Sequence, residues 1–423
     1  MYGKRALMIR CACLGMLFAC LGMPRQQASV AAPDAIQLPP PVIRDVVSLE
    51  VFDADGIALG DLTGNGALDI LTSEGAKGAT LWFEQGADWK DWTPHFIHQI
   101  DMDEHEIEGN ALGDFNGDGR YEAVSLDQRN GAIYLHKALG DPRGEWKSGV
   151  IQADRPLVQD ALVTDISGNG RPDLVYTWEG RAAGQGGVHW LEWVGGDPCD
   201  SDSWRDHVMT QHESAWWLAP RRMDFSGDDQ RTDIVFTARH LINRNPGSRP
   251  GLFWMQPGED VRAPWKVHTI DDSLPHPLHV DTGDLQGNGD DRDLVVGGFD
   301  TERLYYYYFV PEERGWTRHD VSLPALDAIQ LDTIWNVKAL RLGGDRDSIF
   351  VAASKGDVGA WMLYDFTGQQ YEPRILRELN YPHPTEDRIL LHDVTGDGQA
   401  ELFLPDSGPG VNRLHILRLR RDW

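Results

Sequence analysis

The stretch Asp114-Phe-Asn-Gly-Asp-Gly-Arg-Tyr-Glu122 decides the fold of this chain, because variants of it recur about every 50 to 60 residues. Its first, third, fifth and ninth side chains carry the hard oxygen donors that Ca²⁺ prefers. Gly117 and Gly119 allow the positive φ angles that a tight loop needs. Apolar runs flank the loop on both sides, so we expect it to join two strands, unlike the helix-flanked EF-hand loop. The stretch therefore predicts a structural calcium loop within a sheet.

Seven units of this kind follow one another along the chain. Four keep the nine-residue spacing, and their predicted ligands are Asp61, Thr63, Asn65 and Asp69; Asp114, Asn116, Asp118 and Glu122; Asp165, Ser167, Asn169 and Asp173; and Asp393, Thr395, Asp397 and Glu401. Residues 224–233 and 284–293 carry one extra residue before the closing carboxylate, which leaves their occupancy open. The sixth unit, residues 340–347, has lost the pattern, and we expect no cation there.

The segments between the loops have a repeated order. Each loop precedes two apolar runs, and a third run opens with an aromatic residue that is often followed by a histidine three positions later, as in Trp92 and His95. With the strand that enters the loop, each unit forms a four-stranded antiparallel meander. A four-stranded unit of about 40 to 60 residues is typical of a propeller blade. The predicted fold class is therefore all-β, a seven-bladed β-propeller.

The two ends of the chain predict how the ring closes. The seventh unit reaches Trp423 before it can supply a fourth strand. Residues 42–50 precede the first unit and resemble its fourth strands, so we expect them to complete the last blade. This arrangement leaves no open sheet edge. The predicted propeller spans residues 42–423.

The N-terminal segment predicts export. Residues 1–31 combine three early basic residues, a short apolar run and a small-residue cleavage site, as in a secretory signal peptide, and residues 32–41 read as a linker. A second interpretation makes Cys20 the acylated cysteine of a lipoprotein. With removal of residues 1–31 the mature chain keeps one cysteine, Cys199, so no internal disulfide is possible. Removing residues 1–31 takes four basic residues and no acidic ones, which changes the formal charge from −27 to −31.

This charge disfavours nucleic acid as a partner, because nucleic acid requires clustered basic residues. No apolar run after the signal is long enough to cross a bilayer as a helix, so the mature protein is not expected to be integral to the membrane.

By its repeated loops the chain resembles the FG-GAP/VCBS family, secreted bacterial relatives of the integrin α propeller. The resemblance implies bound Ca²⁺, calcium loops on one face of the ring, and the connections between blades on the opposite face around a central channel. A looser likeness, through the aromatic-x-x-His strands, is to the propeller part of aldos-2-ulose dehydratase. A literal Phe-Gly and Gly-Ala-Pro signature is missing, and the family includes adhesins, lectins, lyases and sensors.

Polar and aromatic residues of the connections between blades are the candidates for function. As catalytic candidates we single out histidines outside the repeated aromatic-x-x-His pattern: His105, His212, His276 and His279. As ligand-binding candidates we single out charged residues and tryptophans expected to be exposed: Glu106, Glu108, Arg155, Trp216 and Trp217.

Two functions remain open from the sequence. The first is an exported calcium-binding propeller that binds carbohydrate or a surface protein. The second is a carbohydrate-active lyase or dehydratase, in which a histidine of the central funnel abstracts a proton. The chain has no nucleophile elbow, zinc-protease motif or phosphate-binding glycine loop.

Overall fold

The structure is a computed structural model that describes residues 41–100, 106–181, 184–212, 214–219, 224–225, 233–239, 249–274, 276–382, 384–385, 387–406 and 412–421. The predicted signal peptide (1–31), all but the last residue of the linker (32–41) and the candidate His105 lie outside these ranges. Within them the chain is almost entirely β, with seven four-stranded antiparallel sheets arranged as a ring. The predicted seven-bladed β-propeller is therefore confirmed.

The strands are labelled in chain order, beginning with β1 (Pro41–Glu50). Blade 1 contains β2 (Ala54–Gly60), β3 (Asp69–Glu74), β4 (Ala79–Gln85) and β5 (Trp92–Gln99), with a 3₁₀ helix at Gly75–Lys77. Blade 2 contains β6 (Ile107–Gly113), β7 (Glu122–Asp127), β8 (Ala132–Ala138) and β9 (Trp146–Gln152). Blade 3 contains β10 (Val158–Thr164), β11 (Asp173–Trp178), β12 (Gly187–Trp193) and β13 (Trp204–Thr210), with a 3₁₀ helix at Ser201–Ser203.

Blade 4 contains β14 (Ala215–Leu218), β15 (Ile234–Ala238), β16 (Gly251–Gln256) and β17 (Lys266–Asp271). Blade 5 contains β18 (Pro277–Gly283), β19 (Asp293–Gly298), β20 (Arg303–Val310) and β21 (Gly315–Ser322). A hairpin of β22 (Ala325–Leu326) and β23 (Ile329–Gln330) follows. Blade 6 contains β24 (Thr333–Leu340), β25 (Ser348–Lys355), β26 (Val358–Phe366) and β27 (Tyr371–Leu379), and blade 7 contains β28 (Leu390–His392), β29 (Glu401–Asp406) and β30 (Arg413–Arg421).

The N-terminal strand β1 supplies the fourth strand of blade 7, in the order β1-β30-β29-β28. It pairs antiparallel with β30, with Val47 opposite Ile416 and Leu49 opposite Leu414. Both ends of the propeller chain therefore share one sheet, as the missing strand of the seventh unit predicts.

Hydrophobic side chains fill the space between adjacent blades. The second strands β7, β11 and β19 are buried along their whole length, because each of their faces packs against a blade. Trp82, Trp190 and Trp361, on the third strands of blades 1, 3 and 6, are fully buried. The first strands of neighbouring blades contact one another, so they line the central channel.

Six of the seven first strands share an irregularity near their beginning. The pairing register shifts after Asp55, Ile107, Val158, Ala215, Pro277 and Ile334. Such a bulge re-aims side chains and commonly occurs near functional sites. Here the bulges lie at the mouth of the channel, on the face that carries the connections between blades.

Candidate functional site

The bulges bring polar side chains from several blades together at the channel mouth. The amide of Gln159 donates to the carboxylate of Glu108 at 3.1 Å, which links blades 3 and 2. Asn110 donates to the carbonyl oxygen of Asp55 at 3.0 Å and accepts from Ser73 at 3.0 Å, which links blades 2 and 1. The mouth is therefore a network of mutually bonded groups.

Two carboxyl groups of this network, Asp55 and Asp387, hydrogen-bond to each other where blade 1 meets blade 7. Both are buried. Burial raises the pKa of Asp55 well above its ordinary value, and the charges of Asp387 and Glu108 add to the shift. Asp387 also accepts from the backbone N–H of Gly56 at 2.7 Å. Ionisation of both carboxyl groups at once is therefore disfavoured.

Arg388 closes the mouth from the opposite direction. Its guanidinium binds the carboxylate of Asp160 in blade 3 and donates to the carbonyl oxygen of Leu218 in blade 4 at 3.1 Å. Asp160 also accepts from the backbone N–H of Leu218 at 2.8 Å. Since Arg388 belongs to blade 7, its side chain crosses the channel, and the axis of the ring is occupied by protein.

The predicted exposure of Trp216 and Trp217 is wrong. Their side chains are only 8% and 4% exposed. The guanidinium of Arg239 lies 3.3 Å from the ring centre of Trp216 and is held there by Glu179, whose Oε2 is 3.0 Å away. The ring of His279 packs edge-on against Trp217 at 4.1 Å. The two tryptophans are buried because the bulge turns them between blades, so they form the wall of the propeller and offer no open face to a sugar ring.

The charged ligand-binding candidates are also engaged within the protein. Glu106 lies 3.8 Å from the guanidinium of Arg129 at the surface. Arg155 binds Asp206 and donates to the hydroxyl of Tyr176 at 3.1 Å, near the outer strand of blade 3. The candidate set is therefore spread over several blades, and Glu108 is the member that belongs to the channel mouth.

The described histidine candidates lie in different surroundings. His212 is buried beside Phe236 and Phe253, with ring centres 5.4 and 4.8 Å away. His279 is buried at the channel wall, where burial lowers its pKa to about 3. His276 is partly exposed, and its Nε2 lies 3.8 Å from Asp300.

The repeated aromatic-x-x-His histidines pack on third-strand aromatics. His95, His207 and His268 stack on Trp82, Trp190 and Trp254, with ring centres 4.4, 4.5 and 4.0 Å apart. This repeated contact supports a packing role for these histidines.

An open cavity of about 290 Å³ lies between blades 5 and 6, on the same face as the channel mouth. The turn between β19 and β20 forms one side, with Asp300, Thr301, Glu302 and Arg303, and the connection to blade 6 forms the other, with Ser322 and Gln330. Tyr305 is the single aromatic lining residue. The hairpin β22–β23 carries Gln330, and its turn residues Asp327 and Ala328 have positive φ angles of 48° and 66°, as a tight hairpin turn requires.

This cavity was not predicted from the sequence. The candidate residues came from the connections between blades, whereas Asp300, Thr301 and Glu302 of the lining lie in the turn between the second and third strands of blade 5. In an antiparallel meander these turns lie on the same face as the connections. The charged run Asp300-Thr-Glu-Arg303 was the available signal.

The predicted calcium loops of blades 1 and 3 have the same geometry. Asp61 accepts from the backbone N–H groups of Asn65 and Gly66 at 3.0 and 2.7 Å. The closing carboxylate of Asp69 is buried and accepts from the backbone of Leu62 at 2.9 Å. Asp165 and Asp173 repeat these contacts in blade 3, where the closing carboxylate accepts from Ile166 at 2.8 Å. Burial raises the pKa of Asp69 and of Asp173 to about 6.

The loops of blades 2 and 7 differ because a basic side chain lies among the predicted ligands. Lys137 Nζ is 2.7 Å from Asp118 and 3.7 Å from Glu122. Arg418 is 2.7 Å from Asp397 and 2.9 Å from Glu401, and it donates to Thr395 at 2.6 Å. The oxygen donors of blades 1 and 3 therefore fit Ca²⁺, whereas those of blades 2 and 7 already bind a cationic group.

The loop remnant of blade 6 also carries a basic side chain. Arg341 binds Asp347 at 2.6 Å and reaches Asp284, the first residue of the blade 5 loop, at 3.1 Å. Within the described ranges no three histidine, cysteine, aspartate or glutamate side chains form a cluster arranged to hold a metal ion. The loops of blades 1 and 3 each have only two acidic side chains among their predicted ligands.

The fold and its sites define a class, the seven-bladed β-propeller with repeated acidic loops on one face. No protein-family model matches the chain, and no curated protein has significant sequence similarity to it. No helix in the described part of the chain is long and apolar enough to cross a membrane.

Proposed function

We propose that this protein is an exported, calcium-stabilised propeller of the FG-GAP/VCBS type that binds neutral carbohydrate. The cavity between blades 5 and 6 carries the proposal, because it is open and lined almost wholly by hydrogen-bonding side chains. The channel mouth is a poorer site, since Arg388 and Asp160 fill it.

The size and chemistry of the cavity support a small sugar. Its volume of about 290 Å³ is near the lower end for small-molecule sites, which suits one or two sugar units. Carboxylate, hydroxyl and amide groups match the donors and acceptors of sugar hydroxyls. The ring of Tyr305 adds one apolar surface.

The charge of the cavity disfavours an anionic ligand. Asp300 and Glu302 are exposed acids, and the one lining guanidinium, that of Arg303, is already bound to Asp320. A phosphate or a uronic acid would meet the negative charges of Asp300 and Glu302 in a protein whose formal charge is already −27. A neutral polyhydroxylated ligand avoids this repulsion.

The signal-like segment at residues 1–31 supports export, and the acidic loops of blades 1 and 3 support calcium binding. When bound there, Ca²⁺ would neutralise the paired carboxylates of Asp61 and Asp69 and of Asp165 and Asp173. These loops lie on the face opposite the cavity, so calcium has a structural role in this proposal. The lyase alternative stays a prediction, because the described histidines do not share one open site.

A glycan array of neutral oligosaccharides, screened with purified protein, tests the proposal. We expect Glu302→Gln and Gln330→Ala to lower the affinity for the bound glycan at least tenfold. Glu313→Gln is the matched control, because Glu313 is an exposed acid in the turn between β20 and β21 on the opposite face. Absence of binding to any neutral glycan, or an equal loss in the Glu313 variant, would count against carbohydrate binding in this cavity.

A further inference from the structure

We propose that Lys137 and Arg418 are tethered cations that take the place of calcium in the loops of blades 2 and 7, leaving the loops of blades 1 and 3 as the high-affinity calcium sites. This inference rests on the proposed calcium binding and divides four loops of equal spacing into two classes.

Strand register puts the two basic residues at equivalent positions. In blade 2, Ala123 pairs with His136, so Lys137 lies opposite the closing residue Glu122. In blade 7, Leu402 pairs with Leu417, so Arg418 lies opposite Glu401. Directly opposed side chains of an antiparallel pair are about 5 Å apart at their Cβ atoms. The third strand therefore delivers the positive charge to the loop in both blades.

The contacts show that each basic group uses the oxygens that a calcium ion would need. Lys137 lies beside the fifth and ninth side chains of its loop, Asp118 and Glu122. Arg418 contacts the third, fifth and ninth side chains of its loop, with distances of 2.6, 2.7 and 2.9 Å. Both closing carboxylates are fully buried, so their charge is compensated by the basic group more strongly than it would be in water.

Blades 1 and 3 place an acid at the same register position. Ile70 pairs with Phe83 and Leu174 with Leu191, so Glu84 and Glu192 lie opposite the closing aspartates.

These two glutamates bind away from the loops. Glu84 contacts His95 at 3.1 Å and the guanidinium of Arg143 from the next blade. Glu192 contacts His207 at 3.0 Å and Arg262 from the next blade at 2.9 Å. Arg143 and Arg262 are therefore bound to glutamates that are not predicted ligands, and Arg171 of the blade 3 loop lies over the ring of Trp193.

The loop sequences vary together with the opposing residue. The loops with a tethered cation have aspartate at the fifth position and glutamate at the ninth, as in Asp118 and Glu122. The loops without a tethered cation have asparagine at the fifth position and aspartate at the ninth, as in Asn65 and Asp69. Counting predicted ligands and the tethered residue, each of the four loops has a formal charge of −2, so the extra carboxylate of blades 2 and 7 balances the basic group. Calcium can bind those two loops only by displacing a group that already holds their oxygens.

Calorimetric titration of the metal-free, full mature chain with calcium tests this division. Among the four nine-residue loops we expect two high-affinity sites in the wild type, one removed by Asp61→Ala and the other by Asp165→Ala. Lys137→Met and Arg418→Met should each raise calcium affinity at one further site at least tenfold, and Lys137→Gln should act like Lys137→Met if the methionine variant folds poorly. Lys147→Met is the matched control, because Lys147 binds Asp197 at 2.7 Å outside the loops and its loss should add no site.

Four equal high-affinity sites in the wild type, or no gain in any Lys137 and Arg418 variant while the wild type still binds two ions, would overturn the tethered-cation inference alone. Absence of calcium binding in the wild type together with every folded variant would overturn the calcium part of the proposed function as well.

Discussion

Arg388 in blade 7 donates to the carboxylate of Asp160 in blade 3, although these blades are not neighbours in the ring. The same guanidinium group donates to the carbonyl oxygen of Leu218 in blade 4 at 3.1 Å. One side chain therefore connects three blades across the channel.

Arg388→Met should lower the free energy of unfolding by about 3–5 kcal/mol, because it leaves the carboxylate of Asp160 buried without its charged partner. Removing both charges in the double variant Asp160→Asn with Arg388→Met should recover most of this loss. Urea unfolding at fixed calcium concentration measures both. Equal destabilisation in the single and double variants would show that the uncompensated charge is not the cause.

Asp55→Asn should change the pH dependence of stability. Burial raises the pKa of Asp55, so the folded state binds this proton more tightly than the unfolded chain, in which the ordinary pKa is near 4. The contribution of Asp55 to the free energy of unfolding of the wild type is therefore greatest at low pH, and it falls as pH rises through the folded-state pKa. The asparagine variant, whose amide can donate to Asp387, should lack this fall and be at least as stable as the wild type at pH 8.

Melting temperatures of Asp55→Asn, wild type and Glu313→Gln at pH 5 and pH 8 check this prediction. The Glu313 variant should follow the wild type. A steeper decline in the Asp55 variant than in the wild type would contradict the raised pKa of Asp55.

Gly149→Ala should be strongly destabilising. Gly149 stands where blades 1 and 3 have the histidines of the aromatic-x-x-His pattern, and a Cβ there would lie 2.0 Å from the carbonyl oxygen of Cys199. Overpacking of this kind costs about 1–3 kcal/mol or more, since the obstacle is backbone. Gly140→Ala, where a Cβ meets nothing within 4 Å, should change stability by less than about 0.5 kcal/mol. Chemical denaturation of the two variants gives the comparison, and equal stability would refute the close approach of Cys199.

Chelation of calcium should lower the melting temperature by about seven degrees, since two sites stabilise a propeller of this size. Each site contributes about 2.7 kcal/mol when free calcium is about 100 times its dissociation constant. Asp165→Ala should remove roughly half of the calcium-dependent shift, whereas Asp345→Ala in the sixth unit should leave it unchanged. Differential scanning calorimetry with and without chelator measures the shift. A melting curve that is the same with and without calcium, in protein shown to be metal-free, would contradict the assignment of these loops.

The sequence alone predicts the propeller, because its evidence is local and repeated. This evidence consists of the loop spacing, the aromatic residue near the start of the fourth strands, and the missing last strand of the seventh unit. Each of these depends on residues within one blade or at the chain ends. The placement of Trp82 and Trp190 on third strands follows from the same repeat.

The sites depend on contacts between residues far apart in the chain, which spacing does not encode. Asp160 and Arg388 meet because the ring brings blades 3 and 7 to one channel, and Lys137 reaches Asp118 because strand register opposes it to Glu122. The sequence predicts Trp216 and Trp217 to be exposed aromatic residues of a loop. In the structure they lie at a bulge in the first strand of blade 4 and are buried. The sequence by itself determined the repeated blade, because local hydrogen bonding and apolar periodicity specify it. Only the tertiary structure decided which charges are compensated and which surface stays open, because burial and pairing depend on the neighbours that the closed ring supplies.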